Sequence, residues 1–212
     1  MTPSASTISR ISGLYAVTPD LRDSALLLGK VRATLEGGAR LVQYRNKQAD
    51  PELGIAQARA LKALCAEYSA RLIINDHLAL ALDVGADGVH LGGEDGALDT
   101  ARARLPRGRL LGASCYDRLD TARAAKAAGA DYVAFGSFFP SAVKPNAVRA
   151  SVELLRSAKR ELALPLVAIG GITLDNAPQL IEAGADALAV ISALFDAPDI
   201  RRAAERFCAL FA

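Results

Sequence analysis

Gln43, Arg45 and Lys47 stand two residues apart, so in an extended segment an amide and two cations share one face. That set suits a polyanion such as a diphosphate, because guanidinium and ammonium groups donate charge-assisted hydrogen bonds to phosphate oxygens. An Arg-x-Lys pair alone is more often a solvated charged loop. Here it follows directly on the apolar run Leu41-Val42-Gln43-Tyr44, where a strand would end. Asp76 and Asp95 each follow a similar run. Two carboxylates without a His or Cys cluster suit a hard cation, and Mg²⁺ completing its octahedron with phosphate and water oxygens fits them. The alternative is that Asp76 caps a helix and Asp95 lies in a turn. His77 and His90 are the only histidines, which excludes a three-His zinc site, and structural roles are expected for both. Gly170-Gly171 and Ser192 would offer backbone N–H groups to a phosphate. No Gly-x-Ser-x-Gly elbow is present, and Cys65, Cys115 and Cys208 lack an activating pattern.

Residues so far apart need a scaffold that brings strand ends together. A short phrase recurs at Gly38-Ala39-Arg40, Gly85-Ala86-Asp87, Gly129-Ala130-Asp131 and Gly184-Ala185-Asp186, each time ahead of a β-forming run. An Ala- and Leu-rich segment with helical spacing precedes each glycine, which is well placed to end that helix. The intervals of 47, 44 and 55 residues are about twice the length of one strand–helix unit, so a second set of strands is expected between them. Leu14–Val17, Leu72–Ile74, Leu110–Ala113 and Leu166–Ile169 supply it. The runs are apolar on both faces, as strands buried between barrel interior and helices should be. Asp50-Pro51, Ser151 and Thr173 are candidate helix starts. Eight alternating units without a linker predict a single-domain α/β protein, a (βα)8 TIM barrel over residues 1–212, with a flexible N-terminal segment 1–10. The competing doubly wound sheet lacks its glycine fingerprint in the first turn, Thr18-Pro19-Asp20. In a barrel the polar residues that follow the strands fall on the C-terminal face, where chemistry is done, whereas Asp87, Asp131 and Asp186 precede their strands and are expected to be structural.

The composition narrows the class. The chain has 212 residues, is 51% hydrophobic and 23% charged, and carries a net charge of +2, values of an ordinary globular protein. Near-balanced charge argues against nucleic acid or an anionic membrane as partner. The longest uncharged stretch, Leu162 to Leu174, is thirteen residues, too short to span a bilayer. Three scattered cysteines without a CxxC pair predict free thiols in a reducing cytoplasm.

In this order and spacing, QYRNK, IINDH, GVHLGGED, GASCYD, FGSFFPSAVKPN, AIGGIT and AVISALF closely resemble the thiamine-phosphate synthase family, from about Leu14 to Phe195. The resemblance implies a barrel enzyme that joins hydroxymethylpyrimidine diphosphate to a thiazole phosphate, giving thiamine phosphate and diphosphate, with Mg²⁺ required. It implies that Gln43, Tyr44, Arg45, Asn46 and Lys47, with Asn75, Ser114 and Lys144, hold the pyrimidine diphosphate. Arg45, Lys47, Lys144 and Ser114 would be catalytic, and Asp76 and Asp95 would bind Mg²⁺. Ser141, Ala142, Val143, Gly171, Ile191 and Ser192 would contact the thiazole phosphate. The partners implied are these small molecules, and a homo-oligomer is compatible with them. The segment Phe138 to Asn146 is expected to close over the site. Two departures stand out. Val143 replaces a hydroxyl residue usual before the lysine, and Tyr116 stands where relatives often have His. A related thiazole tautomerase depends on a His in that region, so Tyr116 favours the synthase.

Overall fold

A computed structural model describes residues 11–93, 95–140 and 148–212. The expected N-terminal segment 1–10, and with it Glu94 and the stretch 141–147, lie outside the described residues. Among those described, eight parallel strands close into a barrel in chain order, each followed by helix. The strands are β1 (Gly13–Val17), β2 (Leu41–Tyr44), β3 (Arg71–Asn75), β4 (Gly88–Leu91), β5 (Leu110–Tyr116), β6 (Tyr132–Phe135), β7 (Leu166–Ile169) and β8 (Ala187–Val190). The helices are α1 (Ser24–Glu36), α2 (Pro51–Glu67), α3 (Leu78–Asp83), α4 (Leu98–Arg104), α5 (Leu119–Ala127), α6 (Val152–Leu162), α7 (Ala177–Glu182), the short α8 (Ser192–Phe195) and α9 (Ile200–Ala209). None is long and apolar enough to cross a membrane.

Local chemistry sets the boundaries. Asp50 and Ser151 cap α2 and α6, their side chains accepting the Leu53 and Leu154 amides at 2.9 and 3.1 Å. Thr173 is not a cap. Residues 174–176 form a turn, α7 begins at Ala177, and Asn176 Oδ1 instead accepts the Thr173 amide. The recurring glycines end α1, α3, α5 and α7 in one way. Gly38, Gly85, Gly129 and Gly184 take φ of +100°, +61°, +86° and +108°. The amide of the following alanine then reaches back to Thr34, Ala81, Ala125 or Leu180, satisfying a last-turn carbonyl.

The aspartates of that phrase are structural, as expected. Asp87, Asp131 and Asp186 accept amides at the start of the preceding strands, from Leu72, Leu111 and Leu166, at 2.9, 2.7 and 2.8 Å. Each also pairs with a cation from the helix ahead of that strand: Lys62 of α2, Arg102 of α4 or Lys159 of α6. Two apolar layers result. Leu and Ala side chains such as Leu27, Leu61, Leu72 and Leu155 fill the space between strands and helices. Inside the barrel lie Tyr15, Leu41, Ile73, Leu110, Tyr132 and Val167. Polar side chains lie above that plug, toward the strand C-termini.

Candidate active site

A cavity of about 500 Å³ opens at the C-terminal mouth of the barrel. Gln43, Arg45, Asn75 and Ser114 line it with Tyr15, His90, Tyr116 and Ile191. Its floor is a continuous hydrogen-bonded chain across the barrel. Gln43 Nε2 donates to the Tyr15 hydroxyl at 2.9 Å, and Tyr15 and Tyr132 share a bond of 2.9 Å between hydroxyls. The Tyr132 hydroxyl is 3.1 Å from His90 Nδ1, and His90 Nε2 is 2.9 Å from Ser114 Oγ. Burial pushes the His90 pKa down to about 4, so the imidazole is neutral at pH 7. Burial raises both tyrosine hydroxyls, so they keep their protons.

The stretch after β2 does not stay extended. Gln43 and Arg45 face the mouth, but the chain turns at Lys47, which lines a neighbouring cavity of about 470 Å³ between α2 and α3. The expected common face of Gln43, Arg45 and Lys47 is thus split, because alternation ends with the strand. Arg45 is also not a free cation: Asp20 holds its Nη1 at 2.9 and 3.0 Å, and the Thr18 hydroxyl pins the Arg45 backbone on both sides. The side chains of Tyr44 and Asn46 point away from the mouth, both donating to Gln57 Oε1 of α2, at 2.9 and 3.0 Å.

Asp76 lies just past β3 with φ of +64°, in the left-handed region that a short polar side chain tolerates best after glycine. Its amide donates to the His90 carbonyl at 2.8 Å, which carries its side chain toward the end of β4. There it meets Asp95, whose Oδ2 accepts the Gly92 amide at 2.6 Å. Burial raises the Asp76 pKa first, the hydrogen bond and charge of Asp95 raise it further, and Lys47 and His77 partly oppose them. The two aspartates therefore come together. Asn75 borders both cavities, joining this acidic pair to the mouth.

On the opposite rim, Gly171, Ile191 and Ser192 line a third cavity of about 200 Å³ with Gly170. Gly170 and Gly171 have φ of +102° and +65°, and a Cβ on either would strike Ser137 or the Phe139–Pro140 backbone. Only glycine permits this close approach. The residues flanking the segment expected to close are tied together, since Ser137 N–H donates to the Val148 carbonyl at 3.3 Å and Ala150 N–H to the Ser137 carbonyl at 3.0 Å. Ser141, Ala142, Val143 and Lys144 lie outside the described residues.

Tyr15, Tyr132 and Asp20 were not evident from the sequence as parts of the site. The two tyrosines occupy inward positions of apolar strands, and Asp20 lies in a turn after β1 whose contact with Arg45 spans 25 residues. Runs that are apolar on both faces gave no signal that would pair them. The cysteines are not nucleophiles: all three are free thiols, and burial pushes Cys65 and Cys115 up to about 12.

A family model described as thiamine monophosphate synthase matches residues 14–194. A thiamine-phosphate synthase of Thiobacillus denitrificans is 57% identical over 200 residues, covering 94% of this chain and 95% of the relative. Another, from Aromatoleum aromaticum, is 55% identical over 203 residues, covering 96% and 98%. The solved thiamine phosphate pyrophosphorylase of Pyrococcus furiosus superposes with a TM-score of 0.83 at 37% identity, covering 94% of this chain and 95% of that one. A 3-hexulose-6-phosphate synthase of Salmonella typhimurium shares the barrel at TM-score 0.74 but only 17% identity, a likeness of fold alone. Similarity to the synthases spans every strand end that builds the mouth, and the chain belongs to the thiamine monophosphate synthase family.

Proposed function

We propose that this barrel condenses 4-amino-2-methyl-5-hydroxymethylpyrimidine diphosphate with a thiazole (carboxy)phosphate, giving thiamine phosphate and diphosphate in a Mg²⁺-dependent reaction. The supporting observation is the convergence of Gln43, Arg45, Asn75 and Ser114 on one cavity beside the Asp76–Asp95 pair, in a chain of this family. The bond between the pyrimidine methylene carbon and the diphosphate oxygen breaks, both electrons leaving with oxygen. The thiazole ring nitrogen supplies the pair for the new C–N bond and becomes cationic. An aminopyrimidine delocalises positive charge, so the path is dissociative, through a pyrimidine cation. Such a reaction needs neutralisation of the departing diphosphate more than a general base.

The residues suit that demand. Arg45, held rigid by Asp20, and Lys47 beside Asp76 supply positive charge from two sides of Asn75. Lys144, with Ser141, Ala142 and Val143 for the thiazole phosphate, is assigned by family resemblance. Gly171, Ile191 and Ser192 offer the opposite rim to that phosphate. Asp76 and Asp95 fit Mg²⁺: two carboxylates in contact disfavour each other's charge, and a dication relieves this. When bound, the ion would add positive charge against the diphosphate oxygens. Tyr116 lines the mouth where a tautomerase would need a histidine, which favours the synthase. Free, unpaired thiols suit a reducing cytoplasm.

A diphosphate-release assay with each substrate alone, both together, and both without Mg²⁺ tests the reading. Release only with both substrates and Mg²⁺ is the expected result. Release independent of the thiazole phosphate, or of Mg²⁺, would overturn it.

A further inference from the structure

The chain from Gln43 to Ser114 has a direction. A tyrosine hydroxyl carries one proton. Tyr15 receives a hydrogen bond from Gln43 Nε2, and its own buried proton then finds an acceptor in this chain only by donating onward to Tyr132. Tyr132, having accepted from Tyr15, donates to His90 Nδ1. A neutral imidazole accepting at Nδ1 carries its proton on Nε2 and donates it to Ser114 Oγ. The Ser114 hydroxyl proton is then left to point into the cavity, and so is the Gln43 carbonyl. Turning the Gln43 amide around would reverse every bond, leaving Gln43 to present N–H and Ser114 a lone pair.

We infer that Tyr15, Tyr132 and His90 are positioning residues, a one-way relay that makes Gln43 an acceptor and Ser114 a donor toward the substrate. An aminopyrimidine offers the complementary pair, an exocyclic N–H and a ring-nitrogen lone pair, so the relay selects the aminopyrimidine half of the reaction. This rests on the function proposed above. The packing is built for it. His90 and Tyr132 stack with centroids 5.5 Å apart, Tyr15 meets Tyr132 edge-on at 6.1 Å, and a Cβ at Gly112 would strike both Tyr132 and His90.

Two measurements test it. The ring ¹⁵N shifts of the wild-type protein report the tautomer, with only two histidines to assign. The Nε2–H form of His90 is expected, and the Nδ1–H form would overturn the relay's direction whether or not the protein turns over. Secondly, Tyr132→Phe, with Tyr15→Phe as a second break in the chain should the first fail to fold, is expected to raise KM for the pyrimidine diphosphate roughly fivefold or more, the cost of one hydrogen bond. KM for the thiazole phosphate should stay within about twofold, and the neutral His90 ring of Tyr132→Phe should lose its single tautomer. Equal changes in both KM values, or none, would overturn the inference while leaving diphosphate release by the wild type to stand or fall by itself.

Discussion

Asp20 binds Arg45 through both carboxylate oxygens, at 2.9 and 3.0 Å from a single nitrogen, Nη1. The same Asp20 Oδ1 accepts the Lys47 amide at 2.7 Å, so one side chain fixes both the direction of the guanidinium and the turn that separates the two cations. The partly buried pair spends some of Arg45's charge to hold its position.

Asp20→Ala is therefore expected to weaken diphosphate binding although it makes the site more positive. Loss of the pre-set geometry should raise KM for the pyrimidine diphosphate, and Ki for inorganic diphosphate, by about fivefold or more. Steady-state kinetics with product inhibition check this. A lower KM would mean that net charge outweighs orientation.

Asp76→Ala removes one of the two carboxylates proposed for Mg²⁺. Loss of a well-placed electrostatic group costs about 3 kcal/mol, on the order of a hundredfold in kcat, and the Mg²⁺ concentration needed for half-activity should rise with it. Val143→Thr adds one hydroxyl and should change KM for the thiazole phosphate by less than about tenfold. A Mg²⁺ titration of each variant compares them. Near-full activity in Asp76→Ala would remove the metal assignment.

Asp131→Ala should separate stability from catalysis. Its carboxylate accepts the Leu111 amide at 2.7 Å and pairs with Arg102 at the barrel end opposite the mouth. Leaving that amide without a partner costs about 1–3 kcal/mol. Urea unfolding should show the loss, with both KM values unchanged.

His90 links stability to pH. Burial lowers its pKa from 6.5 to about 4 in the folded protein, with Asp95 only partly opposing. The unfolded chain takes up the proton first, so this contribution is complete above pH 6.5 and is lost as pH falls toward 4. The loss between pH 7 and pH 4 is about 3 kcal/mol. Urea unfolding of the wild type and His90→Gln across that range checks it. The wild type should lose that much more than the variant, and parallel curves would mean that His90 is protonated without penalty.

Much of this protein is legible along the chain. Apolar runs, capping residues such as Asp50 and Ser151, and the recurring Gly-Ala phrase specify eight strand–helix units, because each depends on neighbours a few residues away. The aspartates ahead of β4, β6 and β8 are readable as structural for the same reason: topology alone puts them at the barrel end away from the mouth. The polar residues after each strand are likewise visible in the sequence, Gln43, Arg45, Asn75 and Ser114 among them, although family resemblance was needed to give Asn75 and Ser114 a role.

What those residues do to one another was decided in three dimensions. The Arg45–Asp20 pair spans 25 residues and the Tyr15–Tyr132 bond 117, separations over which no local pattern carries information. Barrel closure brings such groups within hydrogen-bonding distance, and burial then demands that every polar atom find a partner. In sequence Tyr15 and Tyr132 are members of apolar strand runs and His90 a histidine with an expected structural role. Only their convergence inside one low-dielectric barrel turns them into a chain with a direction, and splits Lys47 from Gln43 and Arg45 where the backbone turns.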